Sequence, residues 1–117
     1  EATESMLLRL AIAAKKLGHP NALAYRTELE SRFEVARQRG DFAGSREEAL
    51  FQLEIIGDTE TAHRHAITNW GVQREPPDIR LLARTATSTN DPRTLDQLKV
   101  WVRERGYEDA ILSRWLR

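Results

Sequence analysis

The chain of 117 residues contains no cysteine. This absence excludes disulfide bonds, cysteine-ligated zinc and cysteine nucleophiles. The 18 basic residues are balanced by 18 acidic ones, so the formal net charge is zero. A neutral chain has no long-range attraction to nucleic acid or to an anionic membrane, and we expect neither as a partner. No apolar run is long enough to span a bilayer, which argues against membrane insertion.

Signals for β-strands are also scarce, because β-branched residues do not cluster and no alternating apolar pattern occurs. Apolar residues instead recur at helical spacing, in segments rich in Ala, Leu, Glu and Arg. Glycine and proline interrupt these segments, and Asp58 and Asp91 stand where helix N-caps are expected. The pattern predicts an all-α fold of seven helices.

Three turns occupy equivalent positions in the sequence, at Gly18-His19, Gly57-Asp58 and Asn90-Asp91, spaced by 39 and 33 residues. Apolar residues recur at fixed distances from each turn. The matched sets are Leu10, Ala49 and Leu82; Ala11, Leu50 and Ala83; Ala14, Leu53 and Ala86; and Leu23, Ala62 and Leu95. This register predicts a repeated pair of antiparallel helices, each leaving an apolar face for a neighbouring pair to cover.

The register resembles the tetratricopeptide repeat, an array of helix–turn–helix units of about 34 residues. Ala62, Ala66 and Pro76 resemble that family's Ala, aromatic and Pro landmarks in the second helix, although its early Trp and Tyr are absent from all three units. The resemblance implies antiparallel helix pairs stacked as a short right-handed α-solenoid. It divides a single domain, 1–117, into units at approximately 2–40, 44–75 and 77–106 and a terminal helix at 108–116.

In solenoids of this family the first helices line a concave face, which binds extended peptides or partner helices. The resemblance therefore implies a protein or peptide partner. Transferred by register, the contact positions are Leu8, Ile12 and Lys15; Glu47, Phe51 and Glu54; and Arg80, Arg84 and Thr87. We expect Ile12 and Phe51 to form an apolar floor between charged rims.

Residues that could support catalysis or bind a metal have simpler structural explanations. His63 and His65 are two residues apart and point about 200° apart on a helix, so they cannot hold one metal ion together. The acidic pairs Glu47-Glu48 and Glu108-Asp109 open helices, where negative charge is favoured. No phosphate-binding loop or nucleophile motif is present. We therefore expect no enzyme activity, no metal and no cofactor.

The segment NWGVQREPPD, residues 69–78, is predicted to join two units. We expect residues 69–74 to complete a helix, with Asn69 and Gln73 free to bond to each other or to the next unit. The prolines Pro76 and Pro77 then open the following helix.

The expected function is a non-catalytic protein–protein interaction scaffold that forms part of a larger helical-repeat protein. A regulatory or capping domain attached to an enzyme elsewhere in the parent chain is the alternative. The run from Arg46 to Asp78 is also similar to the tails of bacterial helical-repeat proteins of undefined role. Because the first residue is Glu1, we expect a fragment or processed chain, with a bacterial periplasmic or exported parent favoured.

Overall fold

A computed structural model of the protein describes residues 3–41 and 45–116. These residues form six α-helices and contain no strand, which confirms the all-α class for the described part of the chain. The α-helices are α1 (Glu4–Leu17), α2 (Ala22–Gln38), α3 (Arg46–Leu50), α4 (Thr59–Trp70), α5 (Pro76–Ser88) and α6 (Pro92–Arg105). Residues 2 and 44, where two of the predicted units begin, lie outside the described residues.

Two shorter helical elements complete the fold. α3 continues without a break into a π-helical segment, Phe51–Ile56, and a 3₁₀ turn covers Leu112–Arg114. The helix predicted at 108–116 is reduced to that turn. The Asp109 carboxylate accepts hydrogen bonds from the N–H groups of Ile111 and Leu112, as an N-cap does, but the helical turn that follows ends at Arg114.

Side-chain caps start four of the helices. Each capping oxygen accepts a hydrogen bond from the backbone N–H three residues further on, which would otherwise lack a partner in the first turn. The caps are Thr3 for α1, Ser45 for α3, Asp58 for α4 and Asp91 for α6. The predictions for Asp58 and Asp91 are confirmed.

The three turns that the sequence register equates share one backbone geometry. Gly18, Gly57 and Asn90 all have left-handed conformations, with φ of 64°, 83° and 57°. Asn90 is the only non-glycine residue with positive φ in the described chain, and asparagine tolerates this region better than most residues. All three turns therefore contain a left-handed residue, as do the helix ends at Gly40 and Gly106.

The π-helical segment shifts the register of the second pair by one residue. In the outer pairs, the carbonyl that accepts the turn-closing hydrogen bond belongs to Ala14 or Ala86, four residues before the left-handed residue. In the middle pair it belongs to Gln52, five residues before the left-handed residue. A π-helical turn holds one residue more than an α-helical turn. When the extra residue is included in the count back from each turn, Ala49 becomes the counterpart of Ala11 and Ala83. All three alanines are at most 1% exposed. The sequence register, which matched Leu50 to them, is wrong upstream of this segment.

The helices of each predicted pair are in contact, α1 with α2, α3 with α4 and α5 with α6, and α4 packs at least as extensively against α5. Helices that are joined by turns of a few residues and pack together run in opposite directions. Successive pairs meet through α4 against α5, and through α3 against both α1 and α5. Two apolar clusters result. One centres on Leu29 and Phe33 and the other on Ile79 and Leu98, and the partly buried Leu50 packs against both.

Candidate partner-binding surface and the polar clusters between helices

Three residues of the predicted contact set come from the three successive pairs and meet on one surface. Lys15 of α1 donates hydrogen bonds of 2.9 Å to the backbone carbonyls of Glu54 and Ile55. These carbonyls lie at the end of the π-helical segment, where a cation is favoured by the exposed carbonyl dipoles. Arg84 of α5 donates to the Glu54 carboxylate at 2.5 Å. The first helices of all three pairs are therefore linked through Glu54.

Arg80, one turn before Arg84, extends this surface to the end of the chain. Its guanidinium contacts the Asp109 carboxylate at 2.7 Å, and Tyr107 donates its hydroxyl to the same carboxylate at 3.1 Å. The hydrogen bond from Arg80 holds the pKa of Asp109 below its usual value. About two fifths of each arginine side chain is exposed, at 38% for Arg80 and 44% for Arg84. Both arginines therefore anchor the fold and still present cationic surface.

The apolar floor expected at Ile12 and Phe51 does not form, because Phe51 is buried. Phe51 and Leu8 are each 3% exposed and belong to the core cluster around Leu29 and Phe33. The Phe51 ring lies 5.3 Å from the Phe33 ring, centroid to centroid. Phe51 opens the π-helical segment, so the extra residue rotates it away from the position that register transfer gave it.

The remaining contact positions are polar or partly exposed. Ile12 is half-buried against the same core cluster, Glu47 is half-buried in the first turn of α3, and Thr87 is exposed on α5. The Thr87 hydroxyl donates to the carbonyl of Ala83 in its own helix. The candidate partner-binding surface that the structure leaves accessible consists of Lys15, Glu47, Glu54, Arg80, Arg84 and Thr87, and its character is charged.

A buried carboxylate joins α3, α4 and α5 at the segment that the sequence marked as a joint. Arg46 donates to both oxygens of Asp78, at 2.7 and 2.9 Å, and also to Glu75 at 2.9 Å. Asn69, fully buried near the end of α4, donates to Asp78 at 2.7 Å. Burial alone raises the pKa of Asp78, but the hydrogen bonds from Arg46 and Asn69 outweigh it and lower that pKa overall.

The joint differs from the sequence-based expectation in two respects. α4 ends at Trp70, not at residue 74, and Gln73 is exposed. Asn69 does bond to the next pair, as one of the expected alternatives had it. The burial of Asp78 and its pairing with Arg46 were missed. Arg46 and Asp78 are 32 residues apart, so no local sequence pattern predicts their ion pair. The charged residues near the predicted helix–helix joint were the only hint of it.

A second polar cluster lies between α4 and α5. The His63 ring contacts the Thr85 hydroxyl through Nδ1 at 2.8 Å and the Asp91 carboxylate through Nε2 at 2.9 Å. Hydrogen bonds from His63 and then Thr94 lower the pKa of Asp91 to about 2. The hydroxyl–imidazole–carboxylate order resembles that of hydrolytic triads. However, Thr85 is fully buried, so no substrate reaches its hydroxyl in this conformation.

The second histidine takes part in a different contact. His65 Nε2 lies 3.3 Å from the carboxylate of Glu48, which also accepts a hydrogen bond of 3.0 Å from Arg37 of α2. Glu48 thus connects α2, α3 and α4. The two histidines serve separate clusters, as their spacing predicted, and no three His, Asp or Glu side chains of the described residues converge to hold a metal ion.

Aromatic packing joins α4 to α6 and α6 to the segment that follows it. Trp70 of α4 packs edge-on against Trp101 of α6 with centroids 5.1 Å apart, and Trp101 packs in turn against Tyr107 at 5.6 Å. Trp115 is half-buried against the same cluster. Trp70 and Trp101 therefore pack between α4 and α6.

Comparisons with known proteins identify no family for this chain. No protein-family model, curated protein or solved structure matches it. Over residues 3–41 and 45–116, no helix combines the length and apolar character needed to cross a membrane.

Proposed function

We propose that the chain is a non-catalytic interaction module of the tetratricopeptide-like kind, in which three helix pairs stack as a short right-handed solenoid. Its partner is a segment of another protein, bound across the first helices of the pairs. The observation that carries the proposal is the link from Lys15 through Glu54 to Arg84, which places one residue from each pair on one surface.

The packing order supports a stack of pairs. α3 contacts both α1 and α5, so the first helices of the three pairs are neighbours. α4 lies between α3, the first helix of its own pair, and α5, the first helix of the next pair. This order is what an array of helix pairs requires, since each pair must cover the apolar face of the next.

The charge on the surface defines the partner's chemistry. Arg80 and Arg84 lie one turn apart and are partly exposed, while Glu47 and Glu54 lie on the neighbouring first helix. A segment carrying acidic residues suits the two arginines, and adjacent basic residues suit the glutamates. With Phe51 and Leu8 in the core, recognition rests on charge and hydrogen bonding more than on an apolar anchor.

Site-specific photo-crosslinking in the host cells tests the proposal. A photoreactive amino acid is placed at Thr87 or at Glu47, and in a matched control at Val100, which is exposed on α6. We expect the same partner segment to be captured from positions 87 and 47 but not from position 100. Capture of that segment from position 100 alone would overturn the assignment of the surface.

A further inference from the structure

A second face of the molecule is apolar and open. Met6, Leu10, Ala13 and Leu17 follow helical spacing along α1 and form its outer stripe. Met6 is 54% exposed, Leu10 47% and Leu17 81%. The stripe points away from Lys15, which lies about half a turn round the helix, so it is separate from the candidate partner-binding surface.

The equivalent face of α5 is covered by a helix. Register from the shared turns matches Met6, Leu10, Ala13 and Leu17 to Asp78, Leu82, Thr85 and Thr89. On α5 this face packs under α4, where Asn69 bonds to Asp78 and His63 contacts Thr85. The alanines Ala62 and Ala66 of α4 are at most 1% exposed and bring the two helices close together. The corresponding occupant of the α1 stripe is thus an antiparallel helix.

The side chains of the stripe define the facing surface of that helix. Where α5 presents Asp78 and Thr85 to polar partners, α1 presents Met6 and Ala13. A helix bearing groups such as Asn69 or His63 at these points would leave them buried without partners, which is costly. The occupant therefore has an apolar face. A groove of about 190 Å³ beside the stripe accommodates one apolar side chain and is lined by Leu10, Ala13, Ala14, Leu17, His19 and Tyr25.

Charge defines the edge of the same helix. Residues 5–27 contain no acidic residue and four basic ones, Arg9, Lys15, Lys16 and Arg26, although the chain as a whole is neutral. Arg9 and Lys16 are exposed and lie along one edge of the stripe. Acidic residues along the facing edge of an incoming helix complement this charge, whereas basic residues repel it.

We propose that the outer stripe of α1 binds an amphipathic helix of a partner protein, antiparallel to α1, with an apolar face and an acidic edge. The interaction adds a helix to the α1 end of the molecule in the position that α4 occupies on α5. It is independent of binding at the Lys15–Glu54–Arg84 surface, because the two faces lie on opposite sides of α1.

Synthetic helical peptides test this proposal directly. The first probe has leucine and alanine at i, i+3, i+4 and i+7 and glutamates beside that stripe; the second has lysines in place of the glutamates. Affinity is measured by titration, and the contact residues are mapped by amide chemical shifts. We expect the acidic peptide to bind at least tenfold more tightly than the basic one, with shifts concentrated on Met6, Leu10 and Leu17.

A matched pair of variants controls for non-specific apolar binding. Leu10→Glu should weaken the acidic peptide at least tenfold, whereas Val100→Glu, at a site of similar exposure on α6, should leave it unchanged. Circular dichroism checks that both variants are folded. Equal binding of both peptides, or binding that survives Leu10→Glu, overturns the proposal.

Two further measurements distinguish other occupants of the stripe. Vesicles of phosphatidylcholine with phosphatidylserine test a lipid surface, and sedimentation of the chain alone tests a second copy. Binding to vesicles but not to the acidic peptide, or self-association that Leu10→Glu abolishes, overturns the assignment to a partner helix.

Discussion

Arg46 and Asp78 form a bidentate ion pair, with nitrogen–oxygen distances of 2.7 and 2.9 Å, although they are 32 residues apart in the chain. Asp78 is 1% exposed, and Asn69 donates to the same carboxylate. A buried carboxylate that keeps its charge needs this degree of compensation, because an unpaired charge in the interior is strongly unfavourable. The pair therefore fixes how α3 and α5 meet.

Removal of the Arg46 side chain should destabilise the protein substantially. Arg46→Ala leaves the Asp78 charge buried with reduced compensation, and we expect a loss of about 3 kcal/mol in the free energy of unfolding. Chemical denaturation measures this loss, with Arg93→Ala on the exposed side of α6 as the control. The double variant Arg46→Ala, Asp78→Ala should lose less than the two single variants added together, since the buried charge is absent. Simple additivity would show that the two residues are not coupled.

Loss of the Thr85 hydroxyl should lower the free energy of unfolding far more than loss of the Thr87 hydroxyl. Thr85→Val leaves His63 Nδ1 buried without its partner, which costs about 1–3 kcal/mol. Thr87→Val removes an exposed hydroxyl that bonds only within its own helix, and should change stability by less than about 0.5 kcal/mol. Thermal or denaturant unfolding of both variants gives the comparison, and equal effects would contradict the role assigned to His63.

The Asp91 carboxylate should make stability depend on pH in the acid range. Its pKa is lowered from 3.8 to about 2 in the folded protein, so the unfolded chain binds a proton at a higher pH than the folded one. Because solvent screens this partly exposed carboxylate, the stabilisation is about 1 kcal/mol; it is complete above pH ~4 and is lost as the pH falls towards 2.

The variant Asp91→Asn isolates this contribution. The stability difference between the natural protein and Asp91→Asn should be largest near neutral pH and should shrink as the pH falls from about 4 to about 2. Asp96→Asn on the exposed face of α6 serves as the control, and its difference should show no such window. A difference for Asp91→Asn that stays constant down to pH ~2 would contradict the stabilising role of the ionised Asp91 carboxylate.

Because Asn90 has a left-handed conformation, replacing it with alanine should lower the free energy of unfolding more than replacing it with glycine. With φ of 57°, Asn90→Ala should cost about 1–2 kcal/mol, whereas Asn90→Gly should be within a few tenths of neutral. Asn21→Ala provides the control, because Asn21 has an ordinary φ of −80° and makes no side-chain capping bond. Similar losses at both asparagines would argue against a conformational origin.

The sequence predicted those parts of the fold that depend on local interactions. The helical segments, the caps at Asp58 and Asp91 and the turns at Gly18, Gly57 and Asn90 follow from periodicity and from residues with strong positional preferences. The short terminal element was over-predicted, because the apolar spacing over residues 108–116 did not reveal that the helical turn would end at Arg114.

The interior side chains were less predictable, for two physical reasons. The π-helical segment adds one residue to a turn without an obvious signature, so the transferred register misplaced Phe51, which is buried. It also misplaced Leu8 of α1, because the register did not reveal the packing of Leu8 in the cluster around Leu29 and Phe33. The clusters around Asp78 and His63 depend on side chains brought together from distant positions, and a single sequence does not reveal which partners meet. Lys15, Glu54 and Arg84, three of the transferred positions, do contact one another through Glu54, because the first helices are neighbours.

The most direct test of the central claim uses the partner segment captured from positions 87 and 47. Its affinity is measured for a variant that lacks the surface arginines. The double variant Arg80→Ala, Arg84→Ala removes both half-exposed cations, and Arg93→Ala, Arg103→Ala removes two exposed cations from α6. With folding verified for both, we predict that the first variant weakens binding at least tenfold and the second by less than twofold. Equal affinity of the first variant and the natural protein would contradict the assignment of the partner-binding surface.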